Sequence, residues 1–248
     1  MAEFNSQGIN VAQHSVLIKP IKEISFYRST ANQIYEFVRD SIVSMEFEPG
    51  QLISETGLAQ QFGVSRTPVR GALVRLSSAG FVEIFPQRGT YVTKLSMTKI
   101  YEAQFIREAL EVAVIRKLTL CDDEFRHKVA DECSHILDAQ RIAAAQDNFM
   151  LFQKLDDKFH QTLAIFTHHL HTAELIESEK SHLDRVRRLS LHQQGQYHRI
   201  LNQHSAIIKA IRSGSPDKAA TAMSMHLQDV LSILELIPTQ HPEYFSRA

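Results

Sequence analysis

Residues 62–76 read Phe62-Gly63-Val64-Ser65-Arg66-Thr67-Pro68-Val69-Arg70-Gly71-Ala72-Leu73-Val74-Arg75-Leu76, a tight turn running into a helix with two unlike faces. Val69, Ala72, Leu73 and Leu76 recur at i, i+3, i+4 and i+7, which makes one apolar stripe. Ser65 is a suitable N-cap, and Pro68 falls in the first turn, where its missing N–H costs nothing. Gly63 permits the tight turn, so the helix begins at Ser65 or Arg66. Its opposite face carries Arg66, Thr67 and Arg70 near the N-terminus, the end a recognition helix presents to base edges and phosphates. The stretch therefore reads as the second helix of a helix-turn-helix. The plainer alternative is an amphipathic surface helix with its arginines in solvent.

The flanks favour the first reading. Upstream, Glu55, Leu58, Ala59 and Phe62 space out a short helix, and Ile34, Phe37, Val38 and Ile42 mark an earlier one over roughly 29–44, ending before Glu48-Pro49-Gly50. Three helices then share one small core. Downstream, Ala79-Gly80 stops the recognition helix, residues 81–85 and 90–94 form two strands, and Pro86-Gln87-Arg88-Gly89 is the hairpin tip between them. That is a winged helix with Arg88 at the tip of its wing.

Pro49-Gly50, Leu58-Ala59, the run Gly63 to Arg70, Ala72-Leu73 and the run Gln87 to Val92 closely resemble the DNA-binding domain of GntR-family bacterial transcription regulators. The resemblance implies that Ser65, Arg66, Thr67, Pro68 and Arg70 contact the operator from the recognition helix. It also implies that Arg88 and the wing glycine, Gly89, act at the minor groove. Two positions depart from the family pattern: Gly71 stands where Glu is usual, and Thr56 where some members carry a DNA-contacting Arg. Both bear on operator sequence.

At 248 residues, with 44% hydrophobic content, the chain has room for two modest domains with real cores. The net charge of −1 hides an asymmetry. Between residues 65 and 94, Arg66, Arg70, Arg75, Arg88 and Lys94 face only Glu83, the local positive excess a phosphate-binding surface needs. Two cysteines, no signal peptide and no long apolar run point to a reducing, cytoplasmic location without a disulfide or a membrane. The chain is expected to be mainly α. Its parts are an N-terminal extension (1–27), a winged helix-turn-helix (28–95) and an all-α effector-binding and dimerisation domain (97–240). Ser96 caps the first helix of the latter, whose inward residues read as Ile100, Phe105, Ala109, Val112, Ala113 and Leu118. Further helices fall at about 123–145, 148–166, 170–191, 196–212 and 216–236, making an antiparallel six-helix bundle.

In the third of these helices Asp156 and His160 are i and i+4, stacked on one face beside the apolar Leu155, Phe159, Leu163 and Phe166. A carboxylate and an imidazole turned inward need partners, and His204 and His226 on the fifth and sixth helices can supply them. Asp plus three His suits a borderline divalent cation with open positions for oxygen ligands. With thirteen histidines, however, chance pairs are common, and a satisfied core histidine is the plainer reading of each. The patterns Asp-x-x-Phe-His, His before Ile-Ile-x-Ala-Ile, and Met-x-x-His-Leu resemble the ligand set of the FadR-type C-terminal effector domain, the FCD domain, of GntR regulators. That resemblance implies a metal on Asp156, His160, His204 and His226, most readily Zn, with Ni or Mn possible. The six-helix count is similar to the VanR-like subgroup, and fainter likenesses point to regulators of the starvation-sensing, sugar-acid type.

His168, His169 and His171 occupy an interhelix turn and are expected in solvent. Arg107 and Glu111 match an Arg-x-x-x-Glu arrangement of such effector domains, so Arg107 could fork onto an effector carboxylate. Alternatively the two pair with each other across one helical turn. One or more of Arg185, Arg187 and Arg188 could also reach the pocket. The expected function is a ligand-responsive regulator, acting as a repressor, that binds a palindromic operator as a homodimer and takes a small carboxylate such as a sugar acid. The competing class is a metal-dependent hydrolase or lyase on a helical bundle fused to a DNA-binding module. It is disfavoured because no further group is obviously placed as a general base, although Asp157 and Glu111 are available.

Overall fold

Ser54 opens the helix-turn-helix by accepting a hydrogen bond from the Gly57 amide at 3.0 Å, and Gly63 closes its first helix in the left-handed conformation, at φ 63°. The computed structural model describes residues 28–189, 195–234 and 236–246; the expected extension over 1–27 lies outside the described residues. The N-terminal elements are α1 (Thr30–Val43), β1 (Leu52–Ile53), α2 (Glu55–Phe62), α3 (Arg66–Ser78), β2 (Val82–Phe85) and β3 (Gly89–Val92). Ser65 occupies the N-cap position of α3 with extended backbone, though its side chain makes no capping bond. Ile34, Val38 and Ile42 of α1 pack with Leu58 and Phe62 of α2 and with Val69, Leu73 and Leu76 of α3 in a single core. The wing is three-stranded rather than a plain hairpin. Leu52 and Ile53 pair antiparallel with Tyr91 and Thr90, giving the order β1-β3-β2.

The helices that follow are α4 (Met97–Thr119), α5 (Asp123–Ala145), α6 (Phe149–Phe166), α7 (Leu170–Leu189), α8 (Gln196–Ser213) and α9 (Pro216–Gln228). Short helices α10 (Leu231–Leu234) and α11 (Ile237–Gln240) come next, so the last long helix stops well before residue 236. Side chains of Ser96, Asp122, Asn148 and Ser215 each accept from the amide three residues on, which fixes where α4, α5, α6 and α9 start. Helix α4 packs on α7 and α9, and α5 packs on α6 and α8. The shared core includes Ile115, Leu118, Phe159, Leu163, Ile207, Ile211, Met223 and Leu227.

The inward face of α4 differs from the expected one. Gln104, Arg107, Glu111, Val114 and Ile115 are buried, whereas Phe105, Ala109 and Ala113 are exposed and Val112 is half-buried. Apolar character sits on the outer face because the inner face lines a polar site.

The winged helix meets the bundle chiefly through α7. Arg185, buried, donates to the Thr93 carbonyl at 2.6 Å, and the His182 ring stacks on Phe81 with centroids 4.9 Å apart. Leu95, the residue joining wing to bundle, is held by the chain's last described segment: its amide donates to the Tyr244 carbonyl, and the Ser246 amide donates back to Leu95.

Candidate metal centre and nucleic-acid interface

Asp156 and His160 project from one face of α6 toward His204 of α8 and His226 of α9. All four are buried, and one ligand atom from each lies within 4.8 Å of the others. The His160 and His226 Nε2 atoms are 3.0 Å apart, His204 Nε2 is 3.4 Å from His226 Nε2, and His204 Nε2 is 3.4 Å from Asp156 Oδ1. The other ring nitrogens explain why this convergence matters. His160 Nδ1 contacts Glu111 Oε2, His204 Nδ1 lies 2.8 Å from Gln140 Oε1, and His226 Nδ1 lies 2.9 Å from Gln203 Oε1. Each Nδ1 therefore carries the proton and donates it to an oxygen, so in the neutral rings all three Nε2 atoms present lone pairs to one another. Three lone pairs and a carboxylate aimed at one point repel unless a cation sits among them, and oxygen partners behind each imidazole are the usual support of a ligating histidine. The donor set of three nitrogens and one oxygen fits a borderline divalent metal.

The electrostatics agree. Burial opposes the charge on Asp156, yet the imidazoles of His160 and His204 in their protonated form, with the permanent cations of Arg187 and Lys180, outweigh it and hold the carboxyl well below the usual carboxylate range. Burial likewise opposes ionisation of Glu111, but Arg107 and His160 bring it down to about 2. His204 is pushed down to about 3, and His226 well below the ordinary histidine value, chiefly by burial, so both rings are neutral and free to ligate at pH 7. Behind them Lys180, also buried, pairs with Asp157 and with Asp184, the latter at 2.6 Å.

A cavity opens directly beside the cluster, and Asp156 and His226 form part of its wall. Gln153, Gln203 and Tyr197 supply polar groups there, Phe149 and Phe152 apolar surface, and Arg187 the cation, 3.4 Å from Asp156 Oδ2. The charged groups expected to meet an effector thus divide. Arg187 lines the cavity, whereas Arg107 and Glu111 form a buried pair at 2.6 Å behind His160, and Arg185 turns to the wing. Arg185 and Arg187 are two residues apart, about 200° around a helix, so both cannot face one pocket. Gln140 and Gln203, which the sequence reading did not single out, hold two of the imidazoles. His168, His169 and His171 are exposed.

On the other domain Ser65, Arg66, Thr67 and Arg70 lie exposed along the start of α3, with Pro68 half-buried beside them. Both Arg66 and Arg70 reach Glu55 Oε2, at 2.9 and 3.2 Å, so a carboxylate from the preceding helix orients both guanidinium groups before any phosphate arrives. Sequence reasoning used Glu55 only as a helix residue. Arg75, counted in the positive excess, instead stacks over Tyr35 at 4.4 Å and bonds Asn32. Arg88 is exposed at the wing tip. Gly89 has φ 107°, a backbone conformation that side-chain-bearing residues rarely adopt, and a Cβ there would also have to displace the exposed Leu52 side chain, 2.7 Å away at Cδ1.

A winged helix with a polar recognition face, joined to a helical bundle enclosing a cluster of one carboxylate and three imidazoles, is the architecture of a transcription regulator. Residues 30–92 match the family described as bacterial regulatory proteins, gntR family, and residues 100–229 match the FCD domain. The chain belongs to the GntR family and carries an FCD domain. It is 35% identical over 214 residues to the HTH-type transcriptional repressor RspR of Escherichia coli K12, covering 86% of this chain and 92% of that one. It is 29% identical over 215 residues to the gluconate operon transcriptional repressor of Bacillus subtilis, covering 85% and 86%. Its fold is similar to a transcriptional regulator of Rhodococcus sp. RHA1, with TM-score 0.70 at 22% identity over 84% of this chain and 99% of that one. These relatives are transcription regulators, and this chain is one rather than an enzyme. No described helix is long and apolar enough to cross a membrane.

Proposed function

We propose that this regulator is a repressor that binds a palindromic operator as a homodimer and is released by a small carboxylate, such as a sugar acid, bound beside a divalent metal. The observation that carries the reading is the set of three Nε2 atoms converging with Asp156 while every Nδ1 is committed to an oxygen. Asp156, His160, His204 and His226 would hold the ion, with Zn fitting the nitrogen-rich set best. A bound divalent cation supplies a Lewis-acidic position for the oxygens of an acid or hydroxyl group.

The protein's own groups do the rest. Arg187 offers its guanidinium to a carboxylate, Gln153, Gln203 and Tyr197 match hydroxyl groups, and Phe149 and Phe152 cover the ligand's apolar edge. Recognition of a polyhydroxylated acid is also what the gluconate relative's name would lead one to expect. Helix α7 links the site to DNA, because Arg187 faces the cavity while Arg185 and His182 on the same helix grip Thr93 and Phe81. An effector that draws on Arg187 biases how the wing is held, and a coupling of ~1–3 kcal/mol changes operator affinity about 5- to 150-fold.

The test is a titration of the operator complex with sugar acids and other small hydroxy- and dicarboxylates, using wild type and His204→Ala, alongside elemental analysis of protein purified without chelator. The expected result is metal in the wild type, little in the variant, and release of the wild-type complex only. Equal release of both complexes, or no metal in either protein, overturns the reading.

A further inference from the structure

Between the wing and the bundle lies a cavity of about 500 Å³, within the ~300–1,000 Å³ typical of sites that take small molecules. Thr93 and Lys94 line it from the wing side, and Lys99 of α4 with His182 and Arg185 of α7 from the bundle side. Three permanent cations thus share its wall with one carboxylate, Glu83 on β2, and among the described residues Glu83 forms no ion pair with any of them. Lys94 and Lys99 are exposed, whereas Arg185 is 2% exposed and its Nε has no hydrogen-bond partner. The other two guanidinium nitrogens rest on neutral oxygens of Thr93, at 3.4 Å to the hydroxyl and 2.6 Å to the carbonyl. A charge withdrawn from water onto neutral oxygens is costly until an opposite charge joins it. Burial, and then the charges of Arg185 and Lys99, lower the pKa of His182, so these cations act in one field. Ser96, whose side chain caps the 23-residue α4, is in the same wall, and the positive end of that helix dipole adds to them.

We infer that this cavity is a second ligand site, separate from the metal cluster, that takes the phosphate group of a small phosphate ester. A phosphate monoester carries about −1.5 to −2 charge at pH 7, which matches the excess of cations over Glu83. A carboxylate would leave one cation unmatched. Arg185 offers a planar fork to phosphate oxygens, and Lys94 and Lys99 offer point charges that can follow them. The buried Val92, Leu95 and Ile100 and the half-buried Tyr91 remain for the organic part of the ester. One wall belongs to the wing and the other to the bundle, so a phosphate touching both binds best when the two are docked and favours that arrangement.

Two measurements on the full chain test it, with inorganic phosphate as the probe. Calorimetric titration should give a dissociation constant of about 1 mM or lower. Lys94→Gln and Lys99→Gln should each weaken binding about tenfold, because each removes a charge-assisted contact, and both side chains are exposed, so the fold is kept. Lys209→Gln, an equally exposed lysine on α8, should leave it unchanged. In hydrogen exchange, phosphate should protect the amides of residues 93–100 and leave those around Asp156 and His226 as they were. Phosphate that binds wild type and both variants alike, or that protects α6 instead of the junction, sits elsewhere, the metal cluster included, and overturns the inference. No phosphate binding also overturns it, and if Lys99→Gln then weakens operator affinity, these cations serve the DNA backbone instead.

Discussion

Glu111→Gln is the perturbation whose cost the structure fixes most closely. Arg107 is 0% and Glu111 2% exposed, and Glu111 stands between the guanidinium and His160. The amide keeps the shape and removes the charge, leaving a buried cation without its neutralising partner. Breaking a buried pair from one side costs ~3–5 kcal/mol. Asp156 also lies in the field of Arg107, and the amide oxygen still accepts one bond, so the lower end, ~3 kcal/mol, is expected. The same change weakens the oxygen behind a ligating imidazole, which typically costs 10- to 100-fold in metal affinity. Urea unfolding of metal-free protein reads the first effect, and competition with a chelator reads the second. The double variant Arg107→Met/Glu111→Leu separates them. Exchanging an ion pair for apolar side chains of similar volume is near neutral or stabilising. His160 Nδ1 nevertheless still lacks its acceptor, so the affinity loss should persist. Glu111→Gln with a wild-type unfolding midpoint and wild-type metal affinity would refute the reasoning.

Two further outcomes follow from the geometry. His204 and His226 have folded pKa values below the ordinary 6.5, so the unfolded chain binds protons that the fold refuses; stability of the metal-free protein should fall as pH drops from about 6.5 toward 3, the value near which His204 titrates. Asp157, pushed up to about 6 chiefly by burial, works the opposite way and offsets part of the loss, so Asp157→Asn should steepen the acid-side decline in a urea titration series; a flat profile would exclude both assignments. On the DNA side, Arg66→Ala should cost ~1–3 kcal/mol of operator affinity in a band-shift titration at fixed salt, and undiminished affinity and specificity would remove α3 from base recognition.

The winged helix was legible because each of its signals is local. Gly63, Ser65 and the spacing of Val69, Ala72, Leu73 and Leu76 fix α3 without reference to any other part of the chain. Strand β1 was not, since two residues carry no period and Leu52–Ile53 become a strand only by pairing with β3. In the bundle, the spacing of Asp156 and His160 was readable, and the family resemblance joined His204 and His226 to them. The oxygens that orient the imidazoles were not, because Gln140 and Gln203 carry no pattern of their own and are brought in by the packing of α5 and α8. The face of α4 was misread for a physical reason. Periodicity finds the core by assuming that the buried side of a helix is the apolar side, and α4 buries Gln104, Arg107 and Glu111 while exposing Phe105. A helix that lines a polar site within and offers an apolar surface without defeats that assumption at both ends.

The junction between the two halves is weaker than either core, and its weakness suits a switch. Among the described residues it includes the hydrogen bonds of Arg185 to Thr93, the ring stack of His182 on Phe81, the packing of α1 on α7, the backbone bonds of Leu95 to Tyr244 and Ser246, and a small cluster in which Leu95 packs with Ile100, Leu183, Val186 and Phe245. Arg185 enters it on the neutral oxygens of Thr93, and burial lowers its pKa to about 10, so the guanidinium is charged at pH 7 but poorly compensated. A hydrogen bond to a charged group contributes ~1.5–3 kcal/mol, and an aromatic stack ~0.5–1.5. Each is of the size of a typical allosteric coupling, ~1–3 kcal/mol. A junction closed by a broad apolar core would resist any effector of that strength. A junction closed by nothing would let the wing move without reference to the bundle. Because Arg185 and Arg187 point to opposite sides of α7, a small rotation of that one helix would trade contact at the cavity against contact at Thr93, and this is the displacement that the effector proposed above would have to cause.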